Sequence, residues 1–230
     1  MRTEPVVLVH GWGGSFTRTW QAPGWEALLQ DAGRTVIGVD LLGHGSAPKP
    51  HDPEAYADLT ERIVDALPPH EPVDAVGFSL GAATLLELAC RQPQRFGRIV
   101  VGGVGANLFR EDRDGTAKIV AAVKGDGEVT DVRSQLFAQY ASQPGNDPMA
   151  LAAVLERPTR HDFGGERLGE ITCPVLVCIG DEDFAGPGDP LVEALPDARL
   201  VVLKRTDHFA TPESFAFIDA ALEFLDAVPG

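Results

Sequence analysis

The sequence predicts an α/β fold, a mostly parallel six-stranded sheet flanked by helices. Short apolar runs alternate with helical patterns along the chain. The runs are near-continuous in Val, Ile and Leu, as strands buried on both faces must be. At 230 residues, 44% hydrophobic and 23% charged, the chain is the size of one domain with a sizeable core.

Taken in order, the strands are expected at Val6–Val9 and at 35–39, 75–78, 98–101, 175–179 and 200–203. Helices are expected over 25–32, 56–67, Leu80–Arg91 and part of 182–195. A last helix should follow Thr211-Pro212-Glu213 and run to about Val228, with Pro212 in its first turn, where a missing N–H does no harm. Between Val104 and Ile171 there is no strand pattern. Amphipathic patches near 117–123, 129–141 and 148–156 are separated by Gly/Asp-rich segments. This interval reads as a helical insertion between two strands of one continuing sheet.

The charge balance, 19 basic against 34 acidic residues, gives a formal net charge of −15. That field repels phosphate backbones and anionic lipid, which argues against nucleic-acid binding and membrane docking. No stretch approaches the roughly 18 apolar residues of a membrane span. The first nine residues carry Glu4 and Pro5 before only four apolar positions, too few for a signal peptide. The three cysteines, Cys90, Cys173 and Cys178, have no C-x-x-C spacing and read as small hydrophobes in a reducing compartment. A cytoplasmic protein is expected.

The chemistry is concentrated in loops that follow strands. Gly77-Phe78-Ser79-Leu80-Gly81 lies between an apolar run and a helix. A nucleophilic serine needs such a sharp strand-to-helix turn, with glycines where side chains would collide. His10-Gly11-Trp12-Gly13-Gly14 follows the first strand. Its flexible turn can aim a backbone N–H at a developing oxyanion, so the amides of Trp12 and Leu80 are the expected donors. It is no phosphate loop, since neither Lys-Ser/Thr nor G-x-G-x-x-G is present. His10 is expected to hold the loop by a hydrogen bond. Gly180-Asp181-Glu182-Asp183 and Asp207-His208-Phe209 end the set. The order Ser, Asp, His, each in a post-strand loop, suits a triad with Ser79 as nucleophile and His208 as general base. H-E-x-x-H is absent, and no metal or organic cofactor is expected.

On these motifs, together with Val39-Asp-Leu-Leu-Gly-His-Gly-Ser46 and Cys173-Pro-Val-Leu-Val-Cys-Ile-Gly-Asp-Glu-Asp183, the chain resembles the α/β-hydrolase family over essentially its whole length. The resemblance implies Asp183, three residues after Gly180, as the acid that orients His208. Asp181 then starts the turn, its side chain capping nearby amides. It also implies a lid at 105–165, inserted into a core of 1–104 and 166–230, and treats the loop of His44 as structural. The antiparallel hairpin that often precedes the first strand in relatives is missing, which leaves six strands. Asp207 departs from the Gly frequent before the catalytic His, placing an extra carboxylate near the site. The expected activity is cleavage of a small or medium carboxylic ester through an acyl-enzyme on Ser79. Phe78, Phe109, Phe137 and Phe209 are the candidate substrate-binding residues, and the expected partner is a small ester-like molecule. A C–C bond hydrolase, lyase or thioesterase could use the same triad, and a ligand-binding receptor could retain the fold without catalysis.

Overall fold

The computed structural model describes residues 3–126, 129, 131–158, 163 and 167–229. Six strands form one sheet: β1 (Val6–Val9), β2 (Val36–Val39), β3 (Val73–Phe78), β4 (Phe96–Gly102), β5 (Val175–Gly180) and β6 (Ala198–Leu203). Their order is β2-β1-β3-β4-β5-β6, with every neighbouring pair parallel. The chain runs from β1 outward to β2, then returns to the other side of β1 as β3. Such a reversal leaves a crevice beyond the carboxyl ends of β1 and β3, where open α/β sheets bind ligands.

Alternate strand residues feed two cores. Val7, Val9, Ala75, Val101 and Val177 pack with α2 (Glu61–Ala66), α3 (Leu80–Arg91) and α7 (Asp189–Ala194). Leu8, Val76, Val100 and Leu176 pack on the opposite face with α1 (Trp25–Asp31) and α8 (Phe215–Phe224), where Trp25 meets Phe217 edge-on at 5.0 Å. Each fully buried aliphatic side chain is worth about 1.5–3 kcal/mol, so the zero exposure of Val6–Val9 makes β1 a principal anchor.

Between β4 and β5 lie α4 (Arg113–Lys124), α5 (Val132–Ala141) and α6 (Pro148–Glu156). Each begins on an aspartate that accepts backbone N–H bonds: Asp112 from Gly115, Asp131 from Ser134, and Asp147 from Met149 and Ala150. The Asp-rich breaks in the sequence are therefore helix starts. A third apolar cluster joins α4 and α6 to Trp12, Tyr56 and Leu59.

Two helices differ from expectation. The one expected over 56–67 is confined to Glu61–Ala66, because Asp58 Oδ1 takes the N–H and hydroxyl of Thr60 in a local turn that competes with the helix. Pro212 sits in a separate short turn, Thr211–Glu213, not in α8, which starts after the extended Ser214. Trp25 Nε1 donates to Pro212 O at 2.8 Å, tying that turn to α1. α8 also stops before Val228. Asp226 turns left-handed at φ 50°, and Ala227 N–H reaches back to Leu222 O at 2.9 Å, closing the helix end. Of the cysteines, Cys173 and Cys178 are buried and Cys90 is half-buried; all are free thiols.

Candidate active site

β3 delivers Ser79 into a backbone conformation of φ 50°, ψ −113°, which costs of order 1–3 kcal/mol for a non-glycine residue. The turn is held by Ser79 N–H donating to Gly102 O at 2.8 Å and Ala83 N–H donating to Ser79 O at 3.0 Å. Its glycines have a steric reason. A Cβ on Gly77 would lie 2.7 Å from Ala82 Cα, and one on Gly81 would lie 2.4 Å from the carbonyl oxygens of Val9 and His10. Without them α3 could not start so close to β1.

The loops after β5 and β6 meet the serine. His208 Nε2 lies 2.9 Å from Ser79 Oγ, and His208 Nδ1 lies 2.9 and 3.0 Å from the two oxygens of Asp183. The Asp183 side chain is fully buried, and it also accepts the N–H of Ala185 at 2.8 Å. An ionised carboxylate can only accept, so it fixes the proton on Nδ1 and leaves Nε2 free to accept from the serine hydroxyl. Asp181 is directed elsewhere. Its Oδ1 accepts Thr206 N–H at 3.4 Å and its Oδ2 lies 4.0 Å from Lys204 Nζ, joining the ends of β5 and β6. Asp207 accepts Ala210 N–H at 2.8 Å and lines neither cavity at the serine.

The loop after β1 folds back as a turn, Gly14 N–H donating to Gly11 O at 3.0 Å, and carries Trp12 past Ser79. His10 braces it. Nδ1–H donates to Gly11 O at 2.8 Å, while Nε2 accepts Leu41 N–H at 3.2 Å. Burial holds this imidazole below its ordinary pKa, against the raising influence of the Gly11 carbonyl and Asp40, so it braces the loop as a neutral ring. His44, ring to ring 5.0 Å from His10, is pushed down to about 3, first by burial and then by His10. Leu80 is the first residue of α3, whose leading amides have no acceptor inside the helix.

Two cavities meet at Ser79. The smaller, about 160 Å³, is bordered by His208, Phe78 and Phe209; the larger, about 780 Å³, by Leu80, Val104 and Phe109. Trp12 and Phe137 border both, their rings 5.2 Å apart. All four candidate substrate-binding phenylalanines thus border cavity space at the serine. Sequence reasoning missed Phe184, whose ring lies 4.3 Å from that of His208, and Tyr140, 5.5 Å from Phe209. Phe184 directly follows Asp183, and that adjacency was the available signal. A separate cavity of about 470 Å³ beside β2, bordered by Asp40 and Arg62, touches none of the triad candidates. Among the described residues no group of three or more His, Cys, Asp or Glu could hold a metal, and no helix is long and apolar enough to cross a membrane.

A model of the "Alpha/beta hydrolase family" matches residues 6–226. A pimeloyl-[acyl-carrier protein] methyl ester esterase of Neisseria meningitidis serogroup C is 30% identical over 234 residues, covering 89% of this chain and 86% of the relative. A 2-hydroxy-6-oxononadienedioate/2-hydroxy-6-oxononatrienedioate hydrolase of Cupriavidus pinatubonensis is 26% identical over 256 residues, covering 96% and 86%. Among solved structures, the enol-lactonase of Burkholderia xenovorans LB400 superposes with a TM-score of 0.76 at 21% identity, covering 98% of this chain and 92% of the other, a likeness of fold.

Proposed function

This chain belongs to the alpha/beta hydrolase family, and from that premise we propose that it is a serine esterase acting on small or medium carboxylic esters. The observation that carries the reading is the unbroken hydrogen-bonded series from Ser79 Oγ through His208 to Asp183. Ser79 Oγ bonds to the carbonyl carbon as its proton passes to His208 Nε2. Asp183 holds the imidazole tautomer and stabilises the imidazolium. The amides of Trp12 and Leu80 receive the oxyanion, each such donor being worth about 2.7–4 kcal/mol of barrier. The C–O bond then breaks, the alkoxide takes the proton from Nε2, and water activated by His208 releases the acid and restores Ser79. No step calls for a metal or an organic cofactor.

Residues 105–165 serve in this reading as a lid over the core of 1–104 and 166–230. The loop after α5 supports it, since Asn146 Nδ2 donates to Gly13 O at 2.8 Å and Arg18 Nη2 to Pro144 O at 2.7 Å, coupling the insertion to the oxyanion turn. Gly125 at φ 76° and Gly145 at φ 87° are its hinges; Gly127, Gly164, Gly165 and Glu166 lie outside the described residues. A second reading, C–C bond hydrolysis by the same triad, draws on the likeness to the Cupriavidus hydrolase.

Replacing Ser79 with Ala tests the reading. Ester hydrolysis should fall by about 10³-fold or more, and a fluorophosphonate should label the wild type but not the variant. Near-wild-type turnover by purified S79A would end it. A side-by-side panel of esters and C–C substrates separates the two readings.

A further inference from the structure

Resting on the assignment of Ser79 as nucleophile, we propose that the small cavity receives the leaving alcohol and the large cavity the acyl group. We propose further that Arg110 selects acyl groups whose far end is anionic, a carboxylate or a phosphate. The substrate class is then the ester of a small alcohol with a longer acid that carries a second, charged terminus.

The direction of the ester follows from where its leaving oxygen must be. That oxygen takes its proton from His208 Nε2 and has to come within roughly 2.6–3.2 Å of it. His208 borders the small cavity and not the large one. Phe184 borders the large cavity with its ring 4.3 Å from the imidazole, and so stands between the two. Leu80, an oxyanion donor, borders the large cavity only. With the carbonyl oxygen at the donors and the alkoxy oxygen at His208, the third substituent of the carbonyl carbon, the acyl chain, runs into the large cavity.

The volumes set the sizes. The small cavity, about 160 Å³, has room for about five water molecules at roughly 30 Å³ each. Arg18 closes part of its wall and is pinned by bonds of 2.7 Å to both Gln143 Oε1 and Pro144 O. The large cavity, about 780 Å³, falls within the roughly 300–1,000 Å³ of drug-sized ligand sites.

Near the serine the large cavity is walled by apolar Leu80, Ala83 and Val104, but its border also includes three arginines, in a chain whose net charge is −15. The acids beside them are matched: Asp112 by Arg133 at 2.6 Å and Glu111 by Arg113 at 2.7 Å. Arg110 is exposed, so it stands where the cavity meets solvent, and its guanidinium has no hydrogen-bond or ion-pair partner among the described residues. An unengaged guanidinium presents a planar fork that fits carboxylate or phosphate oxygens in pairs.

The test uses the full-length protein and three sets of esters. The first comprises monomethyl esters of succinic, adipic, suberic and sebacic acids and their phosphate-terminated counterparts. The second comprises neutral methyl esters of matching length, and the third the inverted acetates of the corresponding ω-hydroxy acids. The best charged methyl ester should exceed its neutral partner in kcat/KM by about tenfold, mainly through KM, and the better of the two termini identifies the anion. That ratio should collapse towards unity in R110Q and be largely kept in R110K. Inverted acetates cleaved as well as the methyl esters would overturn the cavity assignment, and a ratio unchanged in R110Q would overturn the role of Arg110. A protein that a fluorophosphonate labels at Ser79 but that cleaves no methyl ester would sink the inference alone. Absence of labelling would instead strike the nucleophile assignment beneath it.

Discussion

An imidazole needs its carboxylate on the Nδ1 side, and two aspartates two residues apart compete for that place on the loop after β5. Only Asp183 reaches it; Asp181 spends its oxygen on Thr206 N–H. Asp183→Asn should therefore lower kcat by a factor of about 10²–10⁴, because an amide can donate to Nδ1 and stabilise the wrong tautomer. Asp181→Asn should change kcat by less than about tenfold and cost at most about 1 kcal/mol, since its bond is long and partly exposed. Kinetics and melting curves of both variants decide the matter, and the reverse ranking would transfer the acid role to Asp181. At this scale Ser79, His208 and the acidic loop are legible in the sequence because a nucleophile turn needs glycines at set positions and the loops come in a set order. The choice between the two acids came only from family spacing. Phe184 was legible only through its adjacency to Asp183. An aromatic ring that covers a histidine from a loop has no periodicity, and its partner lies 24 positions along the chain.

Elements are legible where burial is two-sided. The wholly buried runs of β1 and β5 read to within one residue, whereas β6, a partly exposed edge strand, starts two residues before the expected 200, and β3 starts two before the expected 75 because the buried Asp74 interrupts its apolar run. The expected 56–67 helix forms only over Glu61–Ala66 because Asp58 and Thr60 make a local turn that an apolar pattern does not register. The proposed lid is uneven as well. In α6 the residues Ala150–Val154 are at most 1% exposed, while α5 buries only Ser134 and Ala141 and leaves Val132 69% exposed. Few buried apolar contacts mean a low local opening energy. Amide hydrogen exchange should be fastest in Val132–Ala141, slower in Pro148–Glu156, and slowest in Val73–Phe78 and Val175–Gly180. Equal protection of α5 and β3 would remove the case for a lid.

Across the whole molecule the two edges of the sheet divide the work. The strained serine turn and both of its cavities lie at the carboxyl edge, while a buried ion pair adds to the two apolar cores at the amino edge. At the amino edge Arg34 is buried with Asp74, Nη2 to Oδ2 at 2.6 Å. It also donates to Glu4 O from Nε at 2.8 Å and to Leu225 O from Nη1 at 2.7 Å, binding the start of β1, the start of β3 and the end of α8 together. Strands of four to six residues, rising about 3.3 Å per residue, keep this knot well away from Ser79. Arg34→Met takes the buried guanidinium away from Asp74 and from the carbonyls of Glu4 and Leu225, and should cost about 3–5 kcal/mol. For a chain of this length that is a fall in Tm of roughly 6–20 °C. Removing the carboxylate too, in R34M/D74L, should recover part of the loss, because a buried carboxylate deprived of its arginine is a larger penalty than a carbonyl deprived of one donor. Thermal melts of the two variants, with kcat/KM per folded molecule measured well below the transition, test the division. Activity should stay within about twofold of wild type in both, a change small against the tenfold that each 1.36 kcal/mol of barrier would produce. A loss of activity in step with stability would show that the amino edge holds the site as well as the fold.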